Sequence, residues 1–475
     1  MRLRDLAGVD SDSEVTGFAI DHRKVTKGNV FGAFRGAMFN GEDFIPAAVE
    51  RGAVAIVARP EIEISEAVHL ADERPRRLFA QMASRFFAPY PETVVAVTGT
   101  NGKTSTVEMT RQIWRMIGHR SASIGTLGVT TSDDQVKTGL TSPDIVTFLN
   151  NIAGLKRMGI SHVAYEASSH GLDQYRAERV PLTAAAFTNF SRDHLDYHPT
   201  MDSYFEAKMR LFDEVIEPGG IAVVWTDDPK SGEVIKRARA RGLKLMTVGR
   251  KGETIRLVEQ SSSPLGQMLV LEHDGKPHRL ALPLIGAYQS SNVMTAAALV
   301  LATGGEWRDI FSAMGRVAPV PGRLERAVIS RAGAPIYVDY AHTPDALEAA
   351  IAALRPHVDG KLITLFGAGG DRDQGKREPM GEAATRLSDI VIVTDDNPRG
   401  EDPAKIRADI IAGAPGAIEV AGRRDAIARA LEMATSGDII LLAGKGHETG
   451  QIIGAGKDQR VLPFDDALVA RECAA

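Results

Sequence analysis

The chain has almost no cysteine: Cys473 is the single one in 475 residues. A disulfide framework is therefore excluded, and a reducing compartment fits. It also lacks an excess of positive charge. Lys and Arg total 56 against 61 Asp and Glu, a net charge of −5 at pH 7, so nothing argues for a nucleic-acid surface. No uncharged apolar run reaches the ~18–20 residues that span a bilayer. The opening Met1-Arg-Leu-Arg-Asp-Leu has neither a long apolar core nor a cleavage signal. Tandem repeats and low-complexity tracts are missing too. What remains is an ordinary globular composition, 44% hydrophobic and 25% charged, able to bury several cores. Length alone suggests about three domains, and a soluble, cytoplasmic protein is expected.

The expected fold is α/β throughout. Residues 1–88 read as a small α/β domain, with a strand in Gly28-Asn-Val-Phe-Gly-Ala-Phe-Arg, a short helix over 45–51 and a buried strand in Ala53-Val-Ala-Ile-Val-Ala. Pro89-Tyr90-Pro91 suits a linker. Residues 89–322 alternate strand and helix patterns, with strands expected at 93–98, 161–166, 184–188, 220–225 and 244–248. That alternation predicts a mostly parallel sheet covered by helices. Pro319-Val-Pro-Gly-Arg-Leu-Glu marks a second boundary. Residues 323–475 read as a Rossmann-like doubly wound domain, with strands expected at 335–339, 361–366, 389–394 and 438–443. Ligands of such sheets bind beyond the carboxyl ends of the strands, where this chain places its polar and glycine-rich clusters.

The most telling cluster is Thr98-Gly99-Thr100-Asn101-Gly102-Lys103-Thr104-Ser105, between an apolar β-branched run and a helical pattern. Strand, glycine-containing turn and helix is the layout that cradles a nucleoside triphosphate. The glycines let backbone N–H groups approach phosphate oxygens, Lys103 reaches the outer phosphates, and the Thr104 hydroxyl can hold Mg²⁺. The loop is a variant: Val97 stands where the common P-loop has its first glycine, and Gly99 follows two residues later. A second notable residue is Lys208. The helix-like stretch 201–215 has an apolar face that includes Tyr204, Phe205, Leu211 and Phe212, and Lys208 falls on it, four residues from Tyr204 and from Phe212. A lysine on an apolar stripe either snorkels to water or has a specific partner.

Taken in order, Gly99-Thr-Asn-Gly-Lys-Thr, Glu166-Ala-Ser-Ser-His-Gly-Leu, Asn189-Phe-Ser-Arg-Asp-His-Leu-Asp-Tyr-His, Pro321-Gly-Arg-Leu-Glu, Asp339-Tyr-Ala-His-Thr-Pro-Asp and Gly444-Lys-Gly-His-Glu resemble the motifs of the Mur ligase family across nearly the whole chain. Within that family, Asp395-Asp-Asn-Pro-Arg-Gly looks like the signature of the member that adds meso-2,6-diaminopimelate to UDP-N-acetylmuramoyl-L-alanyl-D-glutamate. The resemblance implies an ATP-dependent ligase that makes an acyl phosphate, which an amine then captures, in peptidoglycan precursor synthesis.

It also implies roles. Gly99, Thr100, Asn101, Gly102, Lys103, Thr104, Ser105, Asn292 and Arg323 would bind ATP. The family often has a second asparagine where this chain has Gln289. Lys103, Glu166, His194 and Lys208 would form the catalytic set, with Thr104 and Glu166 on one Mg²⁺ and His194 on a second. In similar ligases the lysine at position 208 is carbamylated by CO₂, which turns a cation into an anion beside the metal. His22, Ala37, Met38, Phe39, Thr141, Ser142, Ser168, Gln174 and Arg176 would bind the UDP-linked substrate, although His22 departs from the family's usual serine.

Amino-acid choice falls to the last domain. Diaminopimelate differs from lysine by a carboxylate on its far carbon, and a site built to pair it would reject lysine strongly. Arg399 is the expected bidentate clamp. Pro398 stiffens the turn, Asn397 and Asp396 offer hydrogen bonds, and Arg372 can take the other carboxylate. Glu448 can receive the distal ammonium beside the Gly444 backbone. The same segment 395–399 also suits a type I turn after a strand. A lysine-adding ligase of the same pathway, a folylpolyglutamate-type ligase and a P-loop switch or scaffold are the alternatives. No nucleic-acid or membrane partner is expected, and a monomer is the default.

Overall fold

The computed structural model describes all residues except 37–39, 133, 137–140, 178, 264, 265 and 475, with backbone only at 457. Three sheets rich in parallel strands follow one another along the chain. The first has four parallel strands in the order β1 (Gly17–Ala19), β2 (Asn29–Gly32), β3 (Ala55–Ala58) and β4 (Val68–Ala71).

The central sheet has 11 strands: β5 (Thr93–Thr98), β6 (Ser121–Gly125), β7 (Gly128–Thr130), β8 (Gln135–Val136), β9 (His162–Glu166), β10 (Ala184–Phe187), β11 (Ile221–Trp225), β12 (Lys244–Gly249), β13 (Ile255–Ser263), β14 (Gly266–His273) and β15 (Lys276–Leu282). Their order is β15-β14-β13-β12-β11-β10-β5-β9-β6-β7-β8, parallel from β13 through β6 and antiparallel at both flanks. Strand β5 explains the apolar run in the sequence. Val94 and Ala96 pack into one core and Val95 and Val97 into the other, and none of the four is exposed. A strand covered on both faces has no polar positions to alternate.

The third sheet runs β16-β17-β21-β18-β19-β20, from β16 (Glu325–Ile329), β17 (Pro335–Asp339), β18 (Leu362–Phe366), β19 (Ile390–Val393), β20 (Ile418–Glu419) and β21 (Ile439–Ala443), antiparallel only at β16. A separate hairpin pairs β22 (Gly450–Ile453) with β23 (Arg460–Pro463).

The expected strands therefore exist, with ends displaced by a residue or so. The antiparallel arm β13–β15 was not expected, because its half-buried strands alternate exposed and buried residues instead of forming apolar runs. The helix expected over 201–215 is α-helical only over Met201–Arg210 and finishes in a π-turn, Leu211–Val215. Its start is fixed by a reciprocal cap. The Thr200 hydroxyl accepts from the Ser203 N–H at 3.1 Å, and the Ser203 hydroxyl accepts from the Thr200 N–H at 3.0 Å.

One buried ion pair ties the C-terminal helix (Asp466–Ala474) to the loops that matter below. The Arg423 guanidinium donates to both Asp466 oxygens at 2.7 Å and to the Ala443 carbonyl at 2.8 Å, with both side chains fully buried. Asp466→Ala would leave a cation without its partner, a change expected to cost about 3–5 kcal/mol. A clear fall in the thermal transition by calorimetry is the expected reading.

Candidate active site

Strand β5 ends in the glycine-containing loop, and the 14-residue helix Lys103–Met116 starts from it. Two glycines are required here. Gly99 has φ +144° and Gly102 φ +86°, and a Cβ would overlap the Thr188 hydroxyl at the first and the Asn292 side-chain oxygen at the second. Among the described residues no side chain caps this helix, which opens with a positive dipole end toward the cleft.

Two lysines converge on one carbonyl. Lys103 Nζ donates to the Gly99 and Thr100 carbonyls at 3.0 and 2.7 Å, and Lys208 Nζ donates to Gly99 at 2.7 Å. Lys208 is 1% exposed and lies 4.3 Å from the Tyr204 ring centre, so the snorkelling alternative fails. Burial pushes the Lys208 amine well below its ordinary pKa, and the neighbouring Lys103 adds to this. Burial also lowers Lys103, partly offset by Glu166 and Asp193.

Both lysines face a cavity of about 100 Å³ together with Thr104, Glu166 and His194. Glu166 ends β9 and is 2% exposed. Its carboxylate accepts from the Thr126 N–H at 2.7 Å and the Thr126 hydroxyl at 3.2 Å. The Thr104 hydroxyl accepts from Arg323 at 2.9 Å. His194 adopts the left-handed backbone region at φ +57°. Burial lowers its pKa to about 2 against the pull of Asp193, which leaves a neutral ring nitrogen.

A second cavity, of about 380 Å³, adjoins the loop between the central and third sheets. Asn101, Gly102, Ser105, Asn292 and Arg323 line it from one side, and Tyr340, His342 and Ala346 from the other. Gln289 does not line it. Its side-chain oxygen accepts from Asn292 at 3.0 Å, so the amide at this position orients that asparagine.

The third cavity, of about 320 Å³, is assembled from loops that follow strands of both sheets. Thr141, Ser142, Ser168, Arg176 and His194 come from the central side. Arg372, Asp396, Asn397, Arg399, Gly444 and Glu448 come from the loops after β18, β19 and β21. Ser142 and Ser168 share a hydrogen bond at 2.9 Å, and Thr141 bonds Thr126 at 3.0 Å. Arg399 sits at φ +51°, with its guanidinium on the Gly370 carbonyl at 2.8 Å. Burial, with Arg372 next, pulls its pKa down from the usual arginine value. Arg372 pairs with Asp196 at 3.5 Å.

Several expected residues sit elsewhere. Gln174 is absent from the cavity wall; it bonds the Tyr197 hydroxyl at 2.9 Å and accepts from Arg176. Pro398 stands behind the wall, with its carbonyl bonded to the Glu401 N–H at 3.0 Å. His22 stacks on Phe44 at 4.4 Å, away from all three cavities. Ala37, Met38 and Phe39 lie outside the described residues.

Asp193 was missed. In sequence it reads as a turn residue, but it is 5% exposed and gathers His194, His342 and Lys376 from two sheets. Burial acts to raise its pKa, yet His342, His194 and Lys376 hold it well below the carboxylate range. Lys445, buried behind Asn397 and Glu448, was missed as well. Among the described residues no group of three or more His, Cys, Asp or Glu is arranged to hold a metal ion.

Comparison with known proteins fits this geometry. Residues 97–300 match the Mur ligase middle domain, 322–446 the Mur ligase glutamate ligase domain, and 14–87 the Mur ligase family catalytic domain. The UDP-N-acetylmuramoyl-L-alanyl-D-glutamate--2,6-diaminopimelate ligase of Zymomonas mobilis is 58% identical over 467 residues, covering 98% of this chain and 96% of that protein. A solved structure of a ligase with the same name superposes with a TM-score of 0.72 at 30% identity, covering 100% of this chain and 98% of the other. The MurF ligase of Thermotoga maritima in complex with ADP shares the fold, with a TM-score of 0.62 at 20% identity over 93% of this chain and 95% of that one.

Proposed function

Because this chain belongs to the Mur ligase family, we propose that it joins meso-2,6-diaminopimelate to UDP-N-acetylmuramoyl-L-alanyl-D-glutamate at the expense of ATP. The observation that carries this reading is the third cavity, where hydroxyl and guanidinium groups face Arg399, Asn397 and Glu448 beside the phosphate-sized pocket of Lys103.

A carboxylate is a poor acyl donor, so it must first be activated. One of its oxygens attacks the γ-phosphorus of ATP, the bond to ADP breaks, and an acyl phosphate forms. The amine of diaminopimelate then attacks the carbonyl carbon, loses a proton, and expels phosphate as the C–O bond breaks. The first step brings two anions together. Lys103 and the N-terminus of the helix it begins are placed to offset that charge. Asn292 and Arg323 would hold the nucleotide, and Arg176, aimed by Gln174, would take an anionic group of the UDP-linked substrate.

Mg²⁺ fits the donors present: the Thr104 hydroxyl and the buried Glu166 carboxylate would hold one ion, and the neutral nitrogen of His194 would hold a second. Bound there, the ions would neutralise charge between the two reacting anions.

We assign Lys208 as the carbamylated residue. Burial and the neighbouring Lys103 favour the neutral form of its amine, whose lone pair attacks CO₂; one N–H proton leaves and a carbamate anion remains beside Lys103. Wild-type protein in ¹³C-bicarbonate is expected to give a carbamate resonance that Lys208→Met lacks. An unmodified amine at saturating bicarbonate would overturn the assignment.

Arg399 supports diaminopimelate over lysine, and a simple nucleotide switch would need neither the third cavity nor its two facing walls. The reading places a monomer in the cytoplasm, where ATP is supplied; among the described residues no helix is long and apolar enough to cross a membrane. The test is a panel of amino acids with purified protein, ATP, Mg²⁺ and the UDP-muramoyl dipeptide. Phosphate release that requires both the dipeptide and diaminopimelate is expected. Release with lysine alone, or without any amino acid, would refute it.

A further inference from the structure

We propose that Lys445 is a positioning residue for amino-acid selection: from behind the cavity wall, its ammonium sets Asn397 and Glu448 so that one Glu448 oxygen faces the ammonium of the incoming diamino acid. The proposal rests on reading the third cavity as the amino-acid site.

Lys445 has no exposed surface and is not part of the cavity lining. Its Nζ lies 3.0 Å from Asn397 Oδ1, 3.1 Å from Glu448 Oε2 and 3.7 Å from Asp396 Oδ1. All three of these residues do line the cavity. A lysine ammonium only donates, so it compels Asn397 to turn its oxygen inward. The Ile452 N–H reinforces that choice, bonding the same oxygen at 2.9 Å. The Asn397 amide nitrogen must then point the other way, where it donates to Glu448 Oε2 at 2.8 Å.

Both donors thus take one carboxylate oxygen. Among the described residues the other, Glu448 Oε1, has no hydrogen-bond partner, and the side chain is 30% exposed. Charge follows the same logic. One ammonium set against the carboxylates of Asp396 and Glu448 leaves a single negative charge among these three side chains, which matches one amine. Arg399 and Arg372 on the same cavity match a carboxylate.

A purely structural lysine makes a different forecast. Removing one partner of a buried ion pair lowers stability whatever its role, but a merely structural loss would not single out the KM of one substrate. Lys445→Met therefore separates the two roles. We expect it to lower the thermal transition but keep its KM for ATP, while KM for diaminopimelate rises roughly tenfold or more, the scale of one lost charge-assisted hydrogen bond. In a Glu448→Gln background the same substitution should add little, because the group it holds has changed. Unchanged KM for diaminopimelate in Lys445→Met, or additive losses in the double variant, would overturn the proposal. If Lys445→Met does not fold, Asn397→Ala combined with Glu448→Gln reads the same relay one link along, with coupling expected and additivity fatal. A wild-type enzyme inert toward diaminopimelate would sink the substrate reading instead. An active wild type beside an unaffected Lys445→Met would sink the positioning role alone.

Discussion

Arg399→Ala is expected to lower kcat/KM for diaminopimelate by about 10³-fold or more, most of it through KM, with KM for ATP unmoved. The guanidinium lines the third cavity, with Arg372 and Glu448 on the same lining. Without it, the distal carboxylate of diaminopimelate would lose its own planar partner, because Arg372 is expected to take the other carboxylate. Lysine never offers that carboxylate, so its slow turnover should change little and the preference between the two should collapse. Arg399→Lys should rescue only a fraction, since an ammonium is a point charge and cannot form the paired bonds of a guanidinium. Initial rates of phosphate release with each amino acid varied in turn make the measurement. Unchanged kinetics with diaminopimelate in Arg399→Ala would remove this residue from the site.

Lys103→Met is expected to lower kcat by about 10²–10³-fold while leaving KM for diaminopimelate close to its starting value. Among the described residues the Lys103 ammonium bonds carbonyls of its own loop, at Gly99 and Thr100, and pairs with no carboxylate. The variant should therefore fold and still bind nucleotide. What it loses is the cation that follows the phosphoryl group as charge moves onto it. ADP formation in a single turnover, compared with nucleotide binding followed by calorimetry, separates the two effects. A variant with normal single-turnover ADP formation would show that Lys103 serves only to hold the loop.

The nucleotide loop was legible in the sequence because its chemistry is local. Val94 to Val97 had to be a doubly covered strand, and Gly99 and Gly102 are required by backbone geometry within a few residues. The strand ends that carry Glu166, His194 and Arg399 were legible for the same reason. Other features depend on contacts between distant parts of the chain. Asp193 gains its place from His342 and Lys376, each more than a hundred residues away in sequence. Lys445 reads as a small polar step between two glycines until Asp396, Asn397 and Glu448 close around it. Gln289 looked like a substitute for an asparagine, and its oxygen is used inside the protein on Asn292. The arm β13–β15 was hidden because its strands are half solvated, so exposed positions interrupt the apolar runs that mark the covered strands.

The left-handed backbone at Arg399 bears on how such a chain can drift. A side chain with a Cβ is held there at a cost of about 1–2 kcal/mol, which glycine would not incur and asparagine would incur less. A mutation to either would relax the turn and leave a sturdier fold with a laxer pocket. Thermodynamics therefore leans toward erosion of selectivity at this position, and only what the guanidinium does in the pocket weighs against that drift.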